Sequence, residues 1–157
     1  MAQKNIELIK KAGIDMDVLR KKLIDAAAAE FNTYYFYTNL RTHAVGLEGE
    51  SLKEIIEDAR FEDRNHFEAL IPRIYELGGS LPTEIGDFTD RAACMDAKLP
   101  DDPTTENLLK VLLDAERCAV EVYTDICNYT HGKDPRTYEL SAAILHEEIE
   151  HEAWFEE

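Results

Sequence analysis

Two short segments of the chain carry the same pattern, Asp63-Arg64-Asn65-His66 and Glu148-Ile149-Glu150-His151. In each segment a histidine follows an acidic residue after three positions. Because three residues turn an α-helix by about 300°, the acid and the histidine project from one face and can bind the same metal ion. The pattern therefore predicts two helices that each contribute an acid and a histidine to a metal site.

Apolar residues recur at intervals of three and four positions in four long segments, which is the period of an amphipathic helix. The helices predicted in this way span about 16–44, 52–77, 108–129 and 140–154. A break at 45–49 separates the first two helices, and the Gly78-Gly79 pair ends the second, because glycine tolerates the left-handed conformation of a helix end.

Three prolines refine these helices. Pro72 lies inside the second helix and predicts a bend there, since an interior proline costs about 3 kcal/mol unless a kink relieves it. Asp102-Pro103 and Asp134-Pro135 predict the starts of the third and fourth helices, with aspartate as the capping residue and proline in the first turn.

The segment 80–100 contains turn-forming residues and no regular apolar period, and it is too long for a tight connection between neighbouring helices. We interpret it as a crossover between the second and third helices. The fold class predicted is all-α, an antiparallel four-helix bundle with one long crossover. We expect a single domain, 1–157, because a length of 157 residues suits one hydrophobic core.

Two glutamates on the other helices complete the predicted site. Glu30 precedes Asp63 by 33 positions, and Glu116 precedes Glu148 by 32, so the two halves of the site are near copies. Both glutamates interrupt apolar stretches that a core would otherwise claim. Four carboxylates and two histidines from four helices are the ligand set of a two-metal bundle, and oxygen and imidazole ligands suit iron or manganese. Solvated surface charge is the alternative reading of each segment taken alone.

Three further residues are candidates for the surroundings of the site. Tyr37 and Tyr123 each follow a candidate glutamate by seven positions, about two helical turns, and can pack there, hydrogen-bond to a carboxylate or supply an electron. Glu62 lies four residues before His66 and competes with Asp63 for the ligand position. The spacing leaves that choice open.

The composition restricts the partners. The chain has 33 acidic and 17 basic residues and a net charge of −16, which repels DNA phosphate and attracts cations. We found no apolar run of about 18–20 residues and no signal peptide, so we expect a cytoplasmic protein without membrane contact. The three cysteines, Cys94, Cys118 and Cys127, form neither a CxxC zinc pattern nor an even disulfide framework.

Four segments carry a resemblance to the ferritin-like superfamily, and most closely to the Dps-like ferritins with a cysteine pair, called thioferritins. They are 29–32, 62–68, 113–118 and 147–151, and the resemblance covers 18–157. Asp63 departs from the glutamate that bacterioferritins have at this position. The resemblance implies that Cys94 and Cys118 can form a disulfide beside the metal site, and it leaves room for a short helix in the crossover. The chain ends before a fifth helix, which favours a cage of twelve subunits.

The resemblance also implies a function. We expect a ferroxidase that binds two iron ions per chain, with manganese or zinc able to replace them. It would oxidise Fe(II) with hydrogen peroxide or oxygen, store the Fe(III) in a homo-oligomeric cage and protect against oxidative stress. One alternative is a rubrerythrin-like peroxidase without storage, although the chain has no CxxC module to supply electrons. The other is a DNA-compacting structural protein, which the net charge of −16 disfavours.

Overall fold

The computed structural model describes residues 1–156, and these contain helices and loops but no β-strand. The helices are α1 (Gln3–Lys11), α2 (Met16–His43), α3 (Gly46–Glu76), α4 (Ile85–Thr89), α5 (Thr105–Thr130) and α6 (Pro135–Glu156). Helix α2 packs along α3, and α5 packs along α6, while α4 lies in the crossover and contacts α2. The predicted four-helix bundle with one long crossover is thus confirmed.

Helix α1 was not predicted. It buries Ile6 and Ile9 against the core, and the Ala2 N–H donates to the carbonyl of Glu76 at 2.8 Å. Its nine residues are fewer than the roughly 12–15 that an isolated helix needs, so its stability comes from docking onto the bundle. A short segment of this kind gives little periodic signal.

The predicted break at 45–49 is wrong in extent, because α3 already begins at Gly46. Gly49 is buried inside the helix, and a Cβ atom there would lie 2.7 Å from the carbonyl carbon of Ala44. Glycine is required at this position for close packing against the preceding turn rather than to stop the helix. As predicted, the helix continues past Pro72, and it ends at Glu76.

One of the two predicted helix caps is confirmed. Asp134 accepts a hydrogen bond from the Thr137 N–H at 3.2 Å, and Pro135 is the first residue of α6. The other is wrong, because α5 begins at Thr105 and its cap is Thr104, whose hydroxyl oxygen accepts from the Asn107 N–H at 3.3 Å. An aspartate before proline marks a turn as well as a helix start.

This correction can be tested by mutation. We expect Thr104→Ala to lower the free energy of unfolding by about 0.5–2 kcal/mol, because the Asn107 N–H loses its acceptor. The matched variant Asp102→Ala should change it by less than about 0.5 kcal/mol, since only the backbone carbonyl of Asp102 bonds to this helix start. Guanidinium unfolding measures both. A larger loss for Asp102→Ala would contradict the assignment of the cap.

The core consists of two apolar clusters, one towards each end of the bundle. One cluster includes Leu23, Ile74 and Ile144, and the other includes Leu40 and Leu112. Along each long helix the predicted ligands fall between the residues of the two clusters. None of the helices within residues 1–156 is both long and apolar enough to cross a lipid bilayer.

Candidate metal centre

All six predicted ligands lie in the interior of the bundle, between the two apolar clusters. Their relative exposures run from 0% to 4%, and they are Glu30 on α2, Asp63 and His66 on α3, Glu116 on α5, and Glu148 and His151 on α6. Burying six ionisable side chains in such a place is costly unless their charges are balanced.

The two histidines face each other across the site. Their ring centroids are 6.3 Å apart, and both Nδ1 atoms point at the carboxylates. Nδ1 of His66 lies 2.9 Å from Oε1 of Glu148, and Nδ1 of His151 lies 3.4 Å from Oε2 of the same residue. Glu148 thus presents one oxygen to each histidine.

Asp63 occupies a second central position. Its Oδ1 atom lies 4.0 Å from Nδ1 of His66 and 3.9 Å from Nδ1 of His151. The rival candidate, Glu62, lies on the outer side of His151 and accepts a hydrogen bond from its Nε2 atom at 2.8 Å. The structure therefore places Asp63, and not Glu62, among the carboxylates that face both histidines.

The remaining glutamates each belong to one half of the site. Glu30 lies 3.5 Å from Nδ1 of His66, and Glu116 lies 3.4 Å from Nδ1 of His151. Each tyrosine hydroxyl donates a hydrogen bond to a glutamate on the facing helix: Tyr37 donates to Glu116, and Tyr123 donates to Glu30. Each tyrosine thus binds the glutamate of the opposite helix rather than the one seven residues before it. Burial and the carboxylate charges raise the pKa of both tyrosines, so they remain hydrogen-bond donors.

One residue around the site was missed by sequence reasoning. Glu147 accepts a hydrogen bond from Nε2 of His66, as Glu62 does from His151. Each of these glutamates lies four residues before the histidine of its own helix, yet holds the histidine of the other helix. A hydrogen bond at Nε2 fixes the tautomer in which Nδ1 is free to bind a metal. The signal in the sequence was the repeated spacing of Glu62 and Glu147.

Unpaired buried atoms show that the site fits a metal. Within residues 1–156, four polar atoms of the site are buried and make no hydrogen bond of good geometry, although His66 Nδ1 and Glu148 Oε1 lie 2.9 Å apart: Asp63 Oδ2, His66 Nδ1, Glu148 Oε1 and His151 Nδ1. Such atoms are costly in a folded protein unless something binds them. Ligand atoms that lie within 4.8 Å of one another form two sets, one of Glu30, Asp63, His66 and Glu148, and one of Glu116, Glu148 and His151. Glu148 belongs to both sets and can bridge two ions.

Without a metal the cluster holds protons. Burial lowers the pKa of both histidines, but contacts with the surrounding glutamates outweigh it and raise the pKa of His66 and His151 to about 12. Burial and the charge of Glu30 raise the pKa of Glu148 to about 8, and burial and the charge of Glu148 raise the pKa of Asp63. A metal ion has to displace these protons.

We expect the stability of the metal-free protein and the added stabilisation by a metal to change with pH in opposite directions. Between its ordinary pKa of 4.5 and about 8, Glu148 binds more protons folded than unfolded. Both histidines do so between 6.5 and about 12. The stability of the metal-free protein should therefore fall as the pH rises from about 6 to about 8. The stabilisation by Mn(II) should grow over that range, because binding releases these protons. Guanidinium midpoints measure both, and a rising midpoint of the metal-free protein would contradict the expectation.

A disulfide lies beside this centre. Cys94, in the crossover, is bonded to Cys118 on α5, and their Cα atoms are 5.9 Å apart. Cys94 lines a cavity of about 20 Å³ together with the carboxylates Glu30, Asp63, Glu116 and Glu148. The third cysteine, Cys127, is buried elsewhere on α5.

Comparisons with known proteins agree with this structure. The sequence model of a protein family, the ferritin-like domain, matches residues 20–157 of this chain. The chain is 71% identical, over 157 residues, to the DNA protection during starvation protein of Pyrococcus furiosus, and the match covers 100% of this chain and 85% of that protein.

Solved structures show the same fold. A dodecameric thioferritin, the bacterioferritin-related protein from Bacteroides fragilis, superposes with a TM-score of 0.92 at 28% identity, covering 99% of this chain and 91% of that one. A Dps protein from Bacillus brevis superposes with a TM-score of 0.80 at 17% identity, covering 90% and 94% of the two chains, and supports the fold alone. The resemblance expected from the sequence is confirmed: the chain belongs to the ferritin-like family and is a relative of its Dps and thioferritin members.

Proposed function

We propose that this protein binds two iron ions at its buried carboxylate and histidine centre, oxidises Fe(II) and stores the product as Fe(III). The observation that carries the proposal is the convergence of buried carboxylate and histidine ligand atoms in two overlapping sets, four of these atoms having no hydrogen bond of good geometry. The ligands proposed are Glu30, Asp63, His66, Glu116, Glu148 and His151. Oxygen and imidazole donors in this number suit iron or manganese better than soft metals.

Each residue has a distinct task in this proposal. Glu148 and Asp63 hold the two ions close together, because each faces both histidines. Two adjacent Fe(II) ions supply two electrons at once, so hydrogen peroxide can be reduced to water without release of a hydroxyl radical. Tyr37 and Tyr123 keep the outer glutamates oriented through their hydroxyl groups.

Storage requires an assembly, which we propose to be a cage of twelve identical chains. The support is the dodecameric state named for the thioferritin from Bacteroides fragilis, to which this chain is similar along its whole length. A net charge of −16 per chain gives such a cage a strongly negative potential that attracts Fe(II). Protection from oxidative stress then follows from removing both iron and peroxide.

The name of the relative from Pyrococcus furiosus raises DNA protection by direct contact as a second candidate. The charge of this chain opposes it, because DNA phosphate repels a protein of net charge −16. A mobility-shift assay at low salt should show no retardation of duplex DNA. Retardation would support direct contact with DNA and reduce the case for protection by iron removal alone.

Iron loading tests the main proposal. Metal-free protein is titrated anaerobically with Fe(II), exposed to peroxide or air, and passed through a size-exclusion column while co-eluting iron is counted. Retention far above two irons per chain in a large assembly supports storage. A plateau at two iron ions per chain would support the two-metal centre but exclude storage. No retained iron would overturn the proposal. The variant His151→Ala should lose the effect, whereas His146→Ala, exposed on the same helix, should keep it.

A further inference from the structure

Two apolar side chains protrude from the turn between α2 and α3. Val45 is 68% exposed and Leu47 is 94% exposed, directly after the buried residue Ala44. We call Val45 and Leu47 the apolar knob. Within residues 1–156 the chain leaves the side chain of Leu47 in water, although burial of a leucine side chain is favourable.

The backbone holds the apolar knob in a fixed position. Gly46 adopts a φ of +82°, in the left-handed region that favours glycine. Gly49 is buried against the preceding turn, where a Cβ atom would lie 2.7 Å from the carbonyl carbon of Ala44. A rigid apolar projection loses little conformational freedom when it binds a partner, which favours a role in recognition.

A groove beside the knob has a matching apolar lining. It has a volume of about 560 Å³ and lies between the first half of α5 and the end of α6. The half-buried Leu109 and Leu113 and the buried Phe155 supply its apolar surface. Glu48, the residue after Leu47, also lines this groove, which we call the Phe155 groove. The knob and the groove therefore lie side by side at the same end of the bundle.

The charges beside the knob and the groove are complementary. Glu48 follows the knob, and Lys110 lies exposed at the rim of the groove. Within residues 1–156 neither of them forms an ion pair, whereas Arg117 on the same rim is paired with Glu152 and Glu156. One acid and one base thus remain available for a partner.

A second copy of this chain is the partner that fits. The knob does not fill the groove of its own chain, because Leu47 is 94% exposed beside it. Copies with a net charge of −16 repel each other, so a contact between them needs an apolar centre and paired charges at its rim. A contact between two different surfaces of identical chains closes into a ring when the rotation between neighbours allows it.

We propose that the apolar knob of one copy inserts into the Phe155 groove of the next, and that this contact joins three copies in a ring. A ring of three is what tetrahedral symmetry requires in a shell of twelve equivalent chains. The inference rests on the proposed function, since it names one contact of the proposed cage. At the rim Glu48 of one copy pairs with Lys110 of the next. All six proposed metal ligands come from one chain, so metal binding does not require the ring.

The first test places a charge on the knob. Because Leu47 is exposed in the single chain, Leu47→Glu should leave the circular dichroism spectrum and the binding of two Mn(II) per chain unchanged. It should raise the concentration at which half of the chains are assembled by at least about a hundredfold, because a carboxylate would be buried among apolar side chains. Leu47→Met keeps an apolar side chain of similar volume and should assemble as the wild type does. Native mass spectrometry over a dilution series measures assembly.

Exchange of the rim charges tests the orientation of the contact. Lys110→Glu should raise the half-assembly concentration by up to about fivefold, because it places two carboxylates side by side at an exposed rim. Adding Glu48→Lys to that variant should restore assembly, since the pair is formed again with its charges exchanged. A double variant that assembles no better than Lys110→Glu alone would contradict the pairing of these two residues.

The second test identifies the contact directly. A photoreactive diazirine amino acid of about the size of leucine replaces Leu47, and isotope-labelled and unlabelled chains are dissociated in guanidinium, reassembled together and irradiated. We expect cross-links that join a labelled to an unlabelled chain, with residue 47 attached to the segment 105–117 or to Phe155. Mass spectrometry of the digested protein locates them.

The outcomes separate this inference from the proposed function. Cross-links confined to a single chain, or to another surface of a second chain, would overturn the contact, and so would wild-type assembly by Leu47→Glu. A wild-type chain that stays monomeric would overturn both the contact and storage in a cage, while Fe(II) oxidation would stand. An assembly that forms through this contact but binds no iron would instead overturn the proposed function.

Discussion

Replacing Glu148 with glutamine should lower the initial rate of Fe(II) oxidation by at least about a hundredfold, the upper end of the losses seen when only the surroundings of a metal site are changed. Glu148 belongs to both sets of ligand atoms and faces both histidines, at 2.9 Å and 3.4 Å. Without its charge, three carboxylates remain for two divalent ions. Stopped-flow absorbance after mixing anaerobic Fe(II)-loaded protein with peroxide measures the rate.

The matched control is Glu150→Gln, which removes the same charge from an exposed position on the same helix and should oxidise iron at the wild-type rate. Folding is tested separately. Because contacts with Glu148 help to raise the pKa of both histidines, circular dichroism and guanidinium unfolding of the metal-free variant show whether the substitution disturbs the fold. Wild-type oxidation by Glu148→Gln would refute its bridging role.

Removing the carboxylate of Asp134 should lower the free energy of unfolding by about 3–5 kcal/mol. Asp134 is fully buried and accepts two hydrogen bonds of 2.9 Å from Arg73, which is 1% exposed. In Asp134→Ala the buried guanidinium loses its only fully buried carboxylate and keeps the partly exposed Glu76 at 3.0 Å, while α6 loses the cap at Thr137. Guanidinium unfolding followed by circular dichroism measures the loss.

Two further variants interpret that result. Arg136→Ala breaks an ion pair of 2.6 Å with Glu76 nearby, but this arginine is exposed, so the loss should stay below about 1 kcal/mol. The double variant Arg73→Met/Asp134→Leu should recover most of the stability, because apolar side chains of similar size leave no buried charge. A small loss in Asp134→Ala, similar to that in Arg136→Ala, would show that the buried pair contributes little.

Local periodicity explains what could be predicted. The helical repeat alone places an acid and a histidine three residues apart on one face, so the pairs Asp63 with His66 and Glu148 with His151 were recognisable without the fold. The interrupted apolar faces around Glu30 and Glu116 identified the candidate ligands on the other two helices of the bundle. The length of the crossover and the repeated spacing together predicted a bundle with one long connection, as observed.

Contacts between distant parts of the chain explain what was missed. Neighbouring helix positions differ by about 100°, so the spacing alone left open whether Glu62 or Asp63 faces the centre, and the rotation of α3 against α6 decided it. Glu147 holds a histidine 81 positions away, and Tyr37 a glutamate 79 positions away. The docking of α1 and the cap at Thr104 also depend on their surroundings.

The sequence by itself determined the four long helices, the acids and histidines that share their faces, and the acidic surface, because these follow from helical periodicity and composition. Only the tertiary structure decided which carboxylates face both histidines and which glutamates hold them from outside, whereas the disulfide between Cys94 and Cys118 confirms what the resemblance implied. Those features depend on how each helix is rotated about its axis and on how the crossover packs against the bundle. Both are determined by the burial of the two apolar clusters, which draw residues from all the long helices.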